Sequence, residues 1–176
     1  MRFLSQESMR EPDEESLVVQ QSHLRYLTQI IPAHQGLVIM APWWWSPHIL
    51  YWTGNPIVAS SSHQSIEGVV DSAKFYSALQ PEESLAILKK RGVNLVVGYD
   101  APRLLANSLQ ILGFRDITDL NVVETEGYAF STASRLMDER REDYLALDGH
   151  LFMQAYSSPL DKYQFRIFWV LDNPQN

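Results

Sequence analysis

Pro81-Glu82-Glu83-Ser84-Leu85-Ala86-Ile87-Leu88-Lys89-Lys90-Arg91-Gly92-Val93-Asn94-Leu95-Val96-Val97 sets the grammar of the whole chain. Proline suits a first helical position, where its missing N–H costs nothing. Glu82 and Glu83 lie at the positive end of the helix dipole, and Lys89, Lys90 and Arg91 at the negative end. Gly92 stops the helix. Val93–Val97 is then a near-continuous apolar run, the pattern of a strand covered on both faces. A helix that leads straight into a doubly buried strand is the repeating unit of an α/β fold.

The same rhythm extends outward in both directions. Downstream, Asp100-Ala101-Pro102 opens a helix whose apolar face is Leu104, Leu105, Leu109 and Leu112 and which Gly113 stops. Upstream, Leu17–Ile31 repeats apolar residues at spacings of three, four and seven, which predicts an amphipathic helix ended by Pro32. Gly36 precedes a strand over Leu37–Met40. Pro47–Trp52 reads as a short helix, Thr53-Gly54-Asn55-Pro56 as a turn, Ile57-Val58-Ala59 as a second strand and Glu67–Leu79 as another helix. Beyond Phe114 the helical patterns fade. His150–Tyr156 and Phe165–Val170 read as two antiparallel strands joined by Ser157–Lys162, the second with Phe165, Ile167 and Trp169 on one face and Arg166, Phe168 and Val170 on the other. The expectation is an α/β fold: a mostly parallel sheet flanked by helices, with an antiparallel C-terminal hairpin. Residues 1–16, polar and acidic, form a flexible arm; residues 17–172 make one domain; residues 173–176 are a tail.

Composition narrows the function classes. The 176 residues, 45% of them hydrophobic, can bury one sizeable core. The net charge of −7 argues against a phosphate-tracking surface, so no nucleic-acid partner is expected. With no cysteine there are no disulfides, thiolate metal sites or Cys nucleophile. Met1–Gln6 lacks the apolar core of a signal peptide, and no run approaches the ~18 apolar residues of a membrane span. Phosphate-binding glycine loops and the Gly-x-Ser-x-Gly elbow are absent, so no cofactor is expected. His34, His48 and His63 are too dispersed for a ligand set, and no metal is expected.

Trp43-Trp44-Trp45 holds three of the five tryptophans directly behind a predicted buried strand, where open α/β folds place ligands. Three neighbouring indoles are hard to bury together, because a strand turns alternate rings to opposite faces and a helix spreads them around its girth. At least one ring is expected at a surface. Tyr51 and Trp52, within one helical turn of His48, extend the candidate platform. Ser46, His48 and the Ser60–His63 loop supply orienting polar groups. The candidate binding residues are thus Trp43, Trp44, Trp45, Ser46, His48, Tyr51, Trp52, Ser62 and His63. Flat aromatic faces with few charges favour a sugar ring or an extended peptide over phosphate or metal.

The order of these segments resembles the soluble C-terminal domain of the oligosaccharyltransferase catalytic subunit family, membrane enzymes that transfer a lipid-linked glycan to asparagine. In that family a helix with a pattern like Leu24-Arg25-Tyr26-Leu27 leads through a short turn into an apolar strand and then a Trp-Trp-Asp-aromatic-Gly signature. Here the succession is His23–Ile31, Pro32–Gly36, Leu37–Met40 and Trp43–Pro47. The turn Gly54-Asn55-Pro56-Ile57-Val58, the helix-to-strand segment Glu82–Val97 and the closing Phe165-Arg166-Ile167-Phe168-Trp169-Val170 are likewise similar, so the resemblance covers most of residues 22–171. Trp43 and Trp44 match the paired tryptophans; Trp45, Ser46 and Pro47 stand where the family has Asp, an aromatic and Gly. In the family the three leading residues form a pocket for the hydroxyl-bearing residue of the acceptor sequon, the Asp accepting its hydrogen bond. Indole can donate such a bond but cannot accept one.

The resemblance implies an extracytoplasmic soluble domain of a polytopic membrane protein, on its periplasmic or extracellular face, that binds an acceptor peptide or glycan at the tryptophans. Such a domain catalyses nothing alone, because the family's metal-binding carboxylates lie in the membrane-embedded half. A second reading is a mainly structural domain packed on its own transmembrane region, its tryptophans at that junction or at the bilayer interface. The third is a free-standing α/β enzyme using Ser60-Ser61-Ser62-His63 with Asp71. Glu67 and Asp71, four residues apart, are expected on one solvated helix face.

Overall fold

The computed structural model describes residues 14–61, 65–138, 146–147, 150–157 and 165–172. Its helices are α1 (Glu14–Thr28), α2 (Ser46–Thr53), α3 (Ile66–Ser77), α4 (Pro81–Arg91), α5 (Ala101–Ile111) and α6 (Thr132–Met137), and its strands β1 (Ile39–Met40), β2 (Leu95–Gly98), β3 (Ala146–Leu147), β4 (His150–Ser157) and β5 (Arg166–Asp172). The first described residues, 14–16, open α1 rather than prolonging the expected arm. Residues 1–13 and the tail 173–176 lie outside the described residues.

The strands form one sheet in the order β1-β2-β5-β4-β3. β1 and β2 run parallel, and an isolated parallel bridge joins Ile39 to Ile57. The pairs β2–β5, β5–β4 and β4–β3 are antiparallel. The expectation of a mostly parallel sheet is corrected to a mixed one. The C-terminal hairpin is antiparallel as expected, but it docks β5 against β2, with Val96 opposite Phe168 and Val97 opposite Ile167. A strand with apolar residues on both faces looks the same in sequence whichever way its neighbour runs.

The sheet divides the core in two. Leu95 and Val97 of β2, with Phe165 and Ile167 at the start of β5, face a cluster completed by Leu24, Leu27 and Ile31 from the α1 side and by Trp45 and Ile49 from the α2 side. Val96 and Phe168 face the opposite cluster, with Phe75, Tyr76, Leu88, Leu104, Leu105 and Leu136 from α3 to α6. Alternation along two strands therefore builds two helical layers around one sheet. The phenol of buried Tyr76 donates to the carbonyl of Val97 at 2.8 Å, and burial holds its pKa well above the ordinary value.

Helix ends follow their sequence signals. Gly54 and Gly92 end α2 and α4 in the left-handed region at φ +63 and +61. Asp100 caps α5, its Oδ1 accepting from the Arg103 N–H at 3.3 Å. The region beyond Phe114, read as non-helical, holds two short 3₁₀ turns and α6, which Ser131 caps by accepting from the Ser134 N–H. A buried hydrogen bond of 2.6 Å between the hydroxyls of Ser84 and Thr132 ties α6 to α4.

Asp71 is not on a solvated face. Its side chain is 9% exposed and Oδ2 accepts from Lys90 Nζ at 2.8 Å and from Arg91 Nε at 2.7 Å, so the carboxylate clamps α3 to α4. Burial alone would raise its pKa, but the hydrogen bonds and charges of Lys90 and Arg91 outweigh it and hold the carboxyl below the usual aspartate value. The folded state thus favours the carboxylate. This stability is complete above the unfolded-state pKa and is lost as pH falls through the folded one. Asp71→Asn is expected to lower unfolding free energy at pH 7 by about 1–2 kcal/mol. Urea midpoints of the two proteins should converge as pH drops below about 4.

Gly68 lies where α3 crosses the second apolar run. A Cβ there would run into the carbonyl oxygen of Val58. Alanine normally favours a helix interior by about 1 kcal/mol over glycine. Here the sign is expected to reverse, with Gly68→Ala losing about 1–3 kcal/mol in denaturant unfolding because backbone on the facing segment must move.

Candidate functional site

Because β1 and β2 are parallel, and Ile57 bridges Ile39 in the same sense, the chain leaves all three segments at one edge of the sheet. Three connections converge there: Ala41–Trp45 after β1, Ala59–Ser61 after the bridge, and Tyr99–Asp100 after β2. The tryptophans open that edge, as the sequence position implied.

The three indoles do not form one platform; they fan across the edge. Trp45 is 4% exposed and packs edge-on against Tyr99 and Phe165, with centroids at 6.1 and 5.7 Å. It belongs to the cluster under α1 and α2. Trp44 is half-buried and touches both clusters, edge-on to Tyr99 at 6.4 Å with the Arg103 guanidinium 6.0 Å from its ring centre. Trp43 lies on the other side, 5.9 Å from Trp44 at an interplanar angle of 87°, and its Nε1–H donates to Asn107 Oδ1 at 2.9 Å. The indole nitrogens of Trp44 and Trp45 are buried without a hydrogen-bond partner.

The remaining candidates separate in the same way. Ser46 is buried, its hydroxyl donating to the Pro42 carbonyl at 3.1 Å at the start of α2. His48 is half-buried between the rings of Trp45 and Trp52, with Nε2 3.4 Å from Gln21 Nε2 and Nδ1 buried without a partner. Tyr51 is 86% exposed on α2. These residues gather on the α1–α2 side, away from Trp43. Ser62 and His63 lie outside the described residues.

Trp43 opens instead onto a groove of about 380 Å³ between α3 and α5, walled by Ser60, Ser61, Ile66, Val69, Val70 and Ile111. The Ser60 loop is therefore joined to the first tryptophan, and the helix faces that complete the groove were not identified from sequence. On α5, Arg103, Asn107 and Ile111 recur every four residues: the first over Trp44, the second bonded to Trp43, the third in the groove wall. That i, i+4, i+8 stripe was the available sequence signal.

Of the Ser60–His63 and Asp71 set, Ser60 and Asp71 make contacts that hold local structure. Ser65 Oγ donates to the Ser60 carbonyl at 2.7 Å and accepts from the Ser60 N–H at 3.2 Å. Asp71 commits its Oδ2 to Lys90 and Arg91. Among the described residues no three His, Asp or Glu side chains are grouped to hold a metal ion. Asp100, near the site, is pushed above the usual aspartate pKa by burial, against the opposing pull of the Arg103 N–H and guanidinium.

No protein-family model matches the chain, and no curated protein matches it. Solved structures do. The C-terminal globular domain of oligosaccharyltransferase from Archaeoglobus fulgidus matches with a TM-score of 0.62 at 19% identity, covering 86% of this chain and 96% of that one. A second structure of the C-terminal globular domain of oligosaccharyltransferase from the same organism matches with a TM-score of 0.52 at 23% identity, covering 93% and 97%. The likeness read from segment order is thus present in three dimensions, and this chain shares the fold of that domain.

Within that fold Trp45 is a core residue. Trp45→Asp would place a carboxylate between Tyr99 and Phe165. It is expected to cost at least about 3 kcal/mol of stability by thermal or urea unfolding, and to leave the Trp43 groove no better supplied with an acceptor.

Proposed function

We propose that this chain is an extracytoplasmic soluble domain of a polytopic membrane protein related to oligosaccharyltransferases, and that it holds an extended acceptor peptide in the groove between α3 and α5. One observation carries the binding site: the half-buried ring of Trp43 lines a groove where the parallel strands end, in a fold shared with oligosaccharyltransferase domains. Four of the six other wall residues are aliphatic. A sugar ring would lose water from several hydroxyls against such walls, whereas an aliphatic side chain gains by burial, so peptide is favoured over glycan. The domain catalyses nothing alone and needs no cofactor of its own. Its other partner is its own transmembrane region, and its location is the periplasmic or extracellular face of the membrane. Among the described residues no helix is long and apolar enough to cross a membrane.

A structural role against the membrane part has its own support. Leu50 and Tyr51 stand exposed, 43% and 86%, on the outer side of α2. An apolar and an aromatic side chain so placed suit a membrane-proximal contact.

The two roles involve opposite sides of the tryptophan fan, so they can be tested apart. In the ¹⁵N-labelled chain, a short peptide with one valine between small residues is expected to shift the Trp43 indole N–H resonance, and a short glycan is not. Trp43→Ala and Val69→Glu should each weaken the peptide at least tenfold, and Tyr51→Ser should leave it unchanged. A glycan that shifts Trp43 where the peptide does not would overturn the peptide reading.

A further inference from the structure

We infer that Asn107 sets what the groove accepts, by removing the one polar atom of Trp43 from it. The inference rests on the peptide reading of the groove given above. Asn107 Oδ1 takes the Trp43 Nε1–H at 2.9 Å, from a position on α5 one turn before the wall residue Ile111. An N–H used in this way is turned toward α5, and the ring presents only carbon to the groove. Trp44 packs edge-on to Trp43 at 5.9 Å and takes no part in the groove wall.

The remaining walls deepen the effect. Ile66, Val69, Val70 and Ile111 offer no hydrogen bond, the Ser60 hydroxyl is already 3.3 Å from that of Ser65, and the other hydroxyl of the wall, that of Ser61, stands at the solvent-exposed rim. A hydroxyl entering the groove gives up water without a partner from Trp43, while a methyl group of the same size gains from burial. Asn107 is thus a positioning residue for specificity: it makes the groove a reader of aliphatic rather than hydroxyl-bearing side chains. This is opposite to what the paired tryptophans suggest by resemblance, and the acceptor is one that an Asp in place of Trp45 would not be needed to recognise.

Valine and threonine peptides of otherwise identical sequence provide the test, because the two side chains differ by one methyl against one hydroxyl. Titrated into the full ¹⁵N-labelled chain and followed at the Trp43 indole N–H, assigned by its loss in Trp43→Phe, the valine peptide is expected to bind about tenfold more tightly. Asn107→Leu frees the N–H, moves its free-state resonance upfield, and should bring the ratio close to one. Asn107→Asp retains an acceptor oxygen and should restore both the resonance and the preference. Equal binding of the two peptides to the unaltered chain, or an unchanged ratio in Asn107→Leu, overturns the role of Asn107 and leaves the groove standing. If neither peptide moves the Trp43 signal at millimolar concentration, the groove itself is lost as a peptide site, and the selectivity with it.

Discussion

Leu95, Val96 and Val97 are shut off from water on both faces of the sheet, and β2 is paired along both edges, Leu95 and Val96 with β1 on one side and all three residues with β5 on the other. Everything else is arranged around that requirement. Two clusters exist because β2 presents alternate side chains to opposite faces, and each needs a helical layer to cover it. Asn94, just ahead of β2, fastens the start of the arrangement: its Oδ1 accepts from the Val38 N–H at 2.9 Å, and its carbonyl accepts from the Val170 N–H at 2.9 Å. One residue thereby fixes the offset of β1 and β5 relative to β2, and with it the level at which the loops leave the sheet.

The parts of this fold legible in sequence are those whose signal is local. Pro81 and Gly92 bound α4 as read, because the proline ring and the left-handed glycine act on their own backbone. The two faces of β5 were also legible, since Phe165 and Ile167 against Phe168 is a period-two pattern that either neighbour would have to respect. Strand direction was not, because parallel and antiparallel neighbours ask for the same apolar residues on a central strand. α6 carries no such signal: at six residues it is too short to show periodicity, and what holds it is tertiary, the Ser84–Thr132 contact and the burial of Ala133 and Leu136 in the core.

The tryptophans show where residue type stops being informative. Three adjacent indoles are expected to leave at least one ring at a surface; Trp43 and Trp44 are half-buried, the first facing a groove and the second touching both clusters, and Trp45 is enclosed. Which ring would face outward depended on partners far along the chain: Phe165 and Tyr99 hold Trp45, and Asn107 holds Trp43. Asp71 was misjudged for the same reason. A carboxylate one helical turn after Glu67 looks solvated until α4 brings Lys90 and Arg91 against it. Charges on facing helices decide such cases, and their approach is a tertiary fact.

The position of β5 carries a consequence for the order in which the sheet can be assembled. Among the described residues it is the last strand in sequence, yet it fills the middle of the sheet between β2 and β4. During synthesis β1 and β2 leave the ribosome long before Arg166–Asp172, and until then the far edge of β2 is an unpaired row of backbone donors and acceptors flanked by Leu95, Val96 and Val97. Such an edge invites pairing with another chain. The sheet is closed from its centre by β5, so the edge of β2 stays open to other chains until Arg166–Asp172 has been made.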